Sequence, residues 1–170
     1  MQRYAVLLPP LLMAATRFHH FDIPDASLAA FFLAGLFVPS ALMLPLLLIE
    51  AFLIDYLAIA WLGVSSFCVT PAYAFLIPTY ALMWAAGRRS IPYLASGRLP
   101  AVAGLALGAS LMAFFISNAS FYAFSGYFAE TPLWDYAISV APYALPYIGT
   151  SLAYITFFAW ASRLSQRVWA

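Results

Sequence analysis

Six apolar stretches, separated by short polar or Pro/Gly-containing breaks, take up nearly the whole chain and leave no room for a soluble domain. Read from those breaks, they cover 4–16, 27–41, 43–62, 71–86, 100–124 and 137–161. Only 8% of residues are charged and 66% are hydrophobic, whereas a soluble domain carries about 25% charged residues. A chain so poor in charge cannot cover its surface with solvated groups, so its solvent is lipid. The expected fold is an all-α integral membrane protein of six transmembrane helices, a single domain over 1–170. The first, second and fourth stretches are shorter than the roughly 20 residues a span usually needs. Such helices are expected to tilt in a compact bundle or to continue through their flanks. The first stretch ends in Thr16-Arg17-Phe18-His19-His20 with no small-x-small site, so it does not read as a cleaved signal peptide.

The basic residues fix an orientation. All seven are arginine. Arg88, Arg89 and Arg98 fall between spans four and five, Arg163 and Arg167 follow span six, and Arg3 precedes span one. With these six in the cytoplasm, both termini are cytoplasmic and Arg17 is the lone basic residue of the outer loops, beside Asp22, Asp25, Glu130 and Asp135. The net charge of +1 argues against a nucleic-acid partner. Prolines such as Pro9, Pro10, Pro45, Pro78 and Pro146 punctuate the spans, which requires protein or a cavity around the freed carbonyls. Gly104 and Gly108 form a small-xxx-small pair suited to close packing inside the bundle or to a partner subunit.

Few residues can carry chemistry. Cys68, the only cysteine, lies in Gly63-Val64-Ser65-Ser66-Phe67-Cys68-Val69-Thr70-Pro71 between spans three and four, on the outer side. It cannot form a disulfide within the chain or a multi-cysteine zinc site, so it is a small apolar residue or a single soft ligand. Asp55 and Glu50 are the only acids inside a span. Such carboxylates normally face a cavity or a partner. Asp55 sits about 10 Å below the outer end of its helix at 1.5 Å per residue, on the side of Cys68. Glu50 lies deeper and could pair with an arginine or be protonated. The adjacent His19 and His20 are a poor chelate on a helix, and read as interfacial residues, polar-ligand contacts or metal ligands. Ser117, Asn118 and Ser120 interrupt an aromatic run and form a polar wall; their Asn-Ala-Ser glycosylation pattern lies within a span. Aromatics make up 18% of the chain. They form an interfacial belt weighted to the outer ends, and the excess suits a large flat ligand held from outside. No GxSxG, HExxH, P-loop or GxGxxG motif occurs, and Ser125-Gly126 lacks a partnered histidine.

Six short helices without a nucleotide site, and an outward aromatic pocket, resemble the substrate-binding S-components of energy-coupling factor vitamin transporters. The chain is most similar to the BtuM family, solitary S-component-like proteins of cobalamin uptake. The residues that carry the resemblance are Ala14-Ala15-Thr16-Arg17-Phe18-His19-His20-Phe21 with Pro24-Asp25-Ala26-Ser27, then Leu53-Ile54-Asp55-Tyr56, Phe67-Cys68-Val69-Thr70-Pro71-Ala72-Tyr73 and Ile116-Ser117-Asn118-Ala119-Ser120-Phe121. The resemblance implies an S-component-like bundle in the bacterial inner membrane, cobalamin or cobinamide as substrate, and an energy-coupling factor module as candidate partner. It places Cys68 as the axial ligand to the corrinoid cobalt, with Asp55 and Tyr73 as matching pocket residues. Phe67, Asn118 and Tyr122 complete the expected ligand-binding set.

The chemistry holds on its own terms. Thiolate is a soft ligand, and one protein sulfur suffices where a corrin ring supplies four equatorial nitrogens. Coordination to Co(III) would release the thiol proton. Exchange of the upper ligand, such as removal of cyanide from cyanocobalamin, would accompany it, with Cys68 as the reacting group of what is primarily a transporter. The alternatives are an S-component-like transporter for another vitamin, and a small membrane redox protein binding haem through His19 or His20.

Overall fold

In a computed structural model, residues 6–18 and 24–168 are described, with side chains to Leu164. His19, His20 and Asp22 lie outside the described residues. The described chain is entirely helical. Helix α1 (Leu8–Arg17) opens on Pro9, where a missing N–H costs nothing. It is followed by α2 (Ser27–Phe37) and α3 (Met43–Leu62). Helix α3 stops at Gly63, whose left-handed φ of 68° glycine alone adopts without strain. Two short 3-10 turns, Ser66–Cys68 and Pro71–Phe75, lead into α4 (Leu76–Ala95). Helix α5 (Leu99–Phe124) follows. A short α6 (Leu133–Val140) then joins α7 (Ala144–Val168) through a 3-10 turn at Ala141–Tyr143. Counted as one rod, α6–α7 makes six helical rods. Three of these, Met43–Leu62, Leu99–Phe124 and Leu133–Leu164, are long and apolar enough to cross a membrane, which makes this a multi-pass membrane protein by length and composition.

The element boundaries differ from expectation in three places. The fourth stretch was expected at 71–86; instead 71–75 form a 3-10 turn and α4 runs on to Ala95. Arg88 and Arg89 are therefore helical and not in a loop. Two charges do not end a helix, and the Arg88 guanidinium lies 5.2 Å from the Trp84 ring centroid while Nη1 donates to the Val38 carbonyl at 3.3 Å. Second, α2 stops at Phe37, short of the expected 41, and Pro39 follows within two residues. Third, the sixth stretch begins four residues early, with Pro142 inside the 3-10 turn that bends it, and runs on past the expected 161 to Val168, so positions 163 and 167 are helical and do not follow the helix.

Helix α2 is the pillar of the molecule. Every residue from Ser27 to Leu36 is buried, as expected of a helix apolar on all sides. It packs most closely on α4, through two glycines. A Cβ at Gly35 would lie 2.0 Å from the Trp84 carbonyl oxygen, and one at Gly87 would lie 2.0 Å from that of Phe32. The expected packing pair, Gly104 and Gly108, is different. A Cβ at either would meet nothing within 4 Å, so the pair makes no close helix contact among the described residues. Phe31, Phe32, Leu47, Met83, Val102 and Ile155 fill the core between the helices. Leu46, Ile49 and Phe52 on α3, Leu111 and Phe115 on α5, and Phe157 and Trp160 on α7 are exposed. Apolar faces of this kind suit contact with lipid.

Candidate functional site

The helices alternate in direction, so one end of the bundle collects the C-terminal parts of α1, α3 and α5 and the first turns of α2, α4 and α7. That end holds a cavity of about 790 Å³, within the range of small-molecule sites. Arg17, Ser27, Asp55, Leu76, Asn118 and Tyr147 bring those six helices into its wall, and the two 3-10 turns supply Phe67, Cys68 and Tyr73. The arginines Arg88 and Arg163 lie at the other end, where Arg163 donates to the Ala95 carbonyl at 3.1 Å.

The polar floor is built around Arg17. Sequence alone counts it as a stray outer-loop cation; it is the last residue of α1, buried, with a side chain 10% exposed. Its Nε donates to Asp55 Oδ1 at 2.7 Å and Nη2 donates to Oδ2 at 2.5 Å. This is the two-pronged geometry that guanidinium and carboxylate favour. Nη1 donates to Ser27 Oγ and Tyr80 Oη, each at 2.9 Å, and reaches Asp25 at 3.5 Å. One side chain thus ties α1 to α2, α3 and α4. Asp55 also accepts from Tyr73 Oη at 2.7 Å, and the Tyr80 ring stacks on Phe31 with centroids 4.2 Å apart. The missed signal was Arg17 itself, one cation on the side where acids predominate.

Cys68 closes the short turn Ser66–Cys68, whose N-terminal end is capped by Ser65: the Phe67 N–H donates to Ser65 Oγ at 3.2 Å. The thiol is accessible in the cavity wall. Partial burial and the Asp55 charge push its pKa above the ordinary thiol value, with Arg17 opposing. The Tyr73 phenol is pushed up as well, by burial and by its bond to Asp55. Phe67 holds the turn in place. It stacks on Tyr127 at 4.5 Å and meets Phe121 edge-on at 5.5 Å, which fastens the turn to α5 and to the loop after it.

Of the residues expected at a ligand, Cys68, Asp55, Tyr73, Asn118 and Phe67 all line this cavity. Tyr122 does not. Its hydroxyl donates to the Thr131 carbonyl at 2.9 Å and its ring packs against Tyr136 at 5.0 Å, so it anchors the loop behind the wall. Consecutive residues on a helix point about 100° apart, which is why Phe121 faces the cavity and Tyr122 does not. Glu50 makes no hydrogen bond or ion pair with any described residue and lies away from the cavity. Among the described residues, no three of His, Cys, Asp and Glu gather as a metal-binding group. No protein-family model and no curated protein matches the chain.

Proposed function

We propose that the protein binds a corrinoid, cobalamin or cobinamide, in this cavity for uptake, with the Cys68 thiolate as axial ligand to cobalt. The observation that carries the reading is the position of Cys68: the chain's one thiol stands in the wall of a ligand-sized cavity, beside Asp55 and Tyr73. A lone sulfur suits a metal that brings its other ligands, as cobalt in a corrin does. The aromatic rings of Phe67, Phe121 and Phe75 in the same wall suit the flat apolar faces of such a ring. On this reading all six rods span the bacterial inner membrane in an S-component-like bundle with both termini cytoplasmic, the cavity opens outward, and an energy-coupling factor module is a candidate partner. Thiolate ligation would exchange for the upper ligand, so removal of cyanide from cyanocobalamin would accompany uptake. In that exchange the cobalt–sulfur bond would form as the cobalt–cyanide bond breaks, and the thiol proton would leave with cyanide as HCN, with no change in the oxidation state of cobalt. The test is the visible spectrum of purified protein with cyanocobalamin. Wild type is expected to shift the corrinoid bands and Cys68→Ala to leave them unshifted; an identical shift in the variant excludes cobalt–sulfur ligation.

A further inference from the structure

We infer that the arginine end of the bundle carries a second site, an apolar groove beneath two guanidinium groups that holds an anionic glycerophospholipid by its phosphate and one acyl chain. The groove lies between the first turn of α5 and the second half of α7, and has a volume of about 260 Å³. Leu99, Val102 and Ala103 form one wall, and Thr156, Ala159 and Trp160 the other. Thr156 is the one polar side chain of the lining, and its hydroxyl donates to the Leu152 carbonyl at 2.6 Å. The groove itself thus suits hydrocarbon. Thr156 and Trp160 are exposed, as are Phe157 and Leu164 on the same helix, so the groove opens on the outside of the bundle, where lipid lies.

Two arginines stand at its mouth. Arg98 immediately precedes α5 and adjoins Leu99 of the wall. Arg163 follows Ala159 and Trp160 by four and three residues, so it shares their side of α7 about one turn nearer the helix end. Its side chain leans onto the loop that carries Arg98: Nη1 donates to the Ala95 carbonyl at 3.1 Å, and a Cβ at Gly97 would lie 2.9 Å from Nη2. Arg98 Nε donates to Ser96 Oγ at 3.2 Å, and its guanidinium lies 4.9 Å from the Tyr93 ring centroid. The other N–H groups of both side chains have no partner among the described residues. Neither arginine meets a carboxylate, since both ion pairs among the described residues belong to Arg17. Uncompensated guanidinium groups above an apolar slot are matched by one molecule that carries both an anion and hydrocarbon, and phosphate suits the guanidinium fork. A zwitterionic lipid would bring an ammonium group against two cations. Charge complementarity therefore selects a phospholipid of net negative charge.

The test is quenching of tryptophan fluorescence by phospholipids with brominated acyl chains, added to the purified protein in detergent micelles. Brominated phosphatidylglycerol is expected to quench saturably, and Trp160→Phe to lack the saturable part. Brominated phosphatidylcholine is expected to need roughly tenfold more lipid for the same quenching. Arg98→Gln is expected to weaken phosphatidylglycerol binding roughly tenfold. Ala103→Phe, which fills the groove and leaves the charge alone, is expected to abolish the saturable part. Arg89→Gln removes the same charge from an exposed α4 residue outside the groove and is expected to change nothing. Equal quenching by the two lipids overturns the inference. So does a saturable part that survives in Trp160→Phe, or an Arg89→Gln that weakens binding as much as Arg98→Gln. Displacement of the lipid by excess inorganic phosphate marks a site for a free anion, and a dimer in detergent that Ala103→Phe disperses gives the groove to a second copy; either overturns the inference. Should Ala103→Phe fail to fold, the comparison of Arg98→Gln with Arg89→Gln decides.

Discussion

Arg17 and Asp55 are worth more as a pair than their exposure to a cavity suggests. Both side chains are largely buried, at 10% and 14% exposure, so removing one strands the other. Arg17→Ala is expected to cost about 3–5 kcal/mol, measurable as a lowered unfolding temperature in detergent. The double variant Arg17→Met with Asp55→Leu is expected to recover most of that loss, since a buried ion pair often gains little over apolar side chains. Cys68 gives a second prediction. Its raised pKa means the thiolate population grows with pH and stays below that of a free thiol near neutrality. Alkylation by iodoacetamide should be slower than for a free thiol at the same pH. Asp55→Asn removes a charge that opposes the thiolate and leaves the opposing Arg17 in place, so it should speed the reaction. Cys68, Asp55 and Asn118 were legible as candidates in the sequence because few polar groups interrupt its apolar runs, whereas Phe67 and Tyr73 stood out by the outer cluster of aromatics and the family resemblance. Arg17 was not, because its partners lie 10, 38 and 63 residues along the chain, and pairing at that distance leaves no periodic trace.

Among the elements, the contact between α2 and α4 tolerates no side chain at its crossing. Gly35→Ala and Gly87→Ala each push a methyl group to 2.0 Å from a backbone oxygen, which only a shift of a whole helix relieves. Each is expected to cost about 3 kcal/mol or more, read as loss of folded protein in detergent. Gly104→Ala and Gly108→Ala meet nothing within 4 Å and should change stability by no more than about 1 kcal/mol, in the favourable direction that helix propensity gives alanine. The sequence shows the pair at i, i+4 because a local spacing is visible in one segment. It does not show Gly35 meeting α4, since a single glycine acquires that meaning only from the helix that crosses it. The same limit explains the ends of α4. Apolarity marks where a helix enters lipid, whereas α4 continues past Arg88, whose charge is held against Trp84 and Val38.

At the scale of the molecule, the hydropathy pattern was enough to count the rods and to assign the lipid environment. It could not show that α2, one of the shortest, is the one enclosed by the rest. The separation of the arginine end from the cavity end supports an outward-opening site. Membrane-impermeant maleimide added to intact cells is therefore expected to label Cys68, and prior addition of a corrinoid to suppress the labelling. Labelling only after the membrane is opened would reverse the orientation.

The span of chain between Arg17 and Asp55 also sets a timetable. The two residues stand 38 positions apart, and a ribosome adds roughly 5–20 residues per second, so α1 exists for several seconds before the helix that neutralises its cation has been made. An arginine is disfavoured by about 2.5–3.5 kcal/mol at the centre of a helix in lipid and by less at the end of one, where Arg17 stands. Helix α1 is thus secured only once α3 has been made, and a nascent chain halted before Asp55 should leave α1 at the membrane surface or in the care of the insertion machinery.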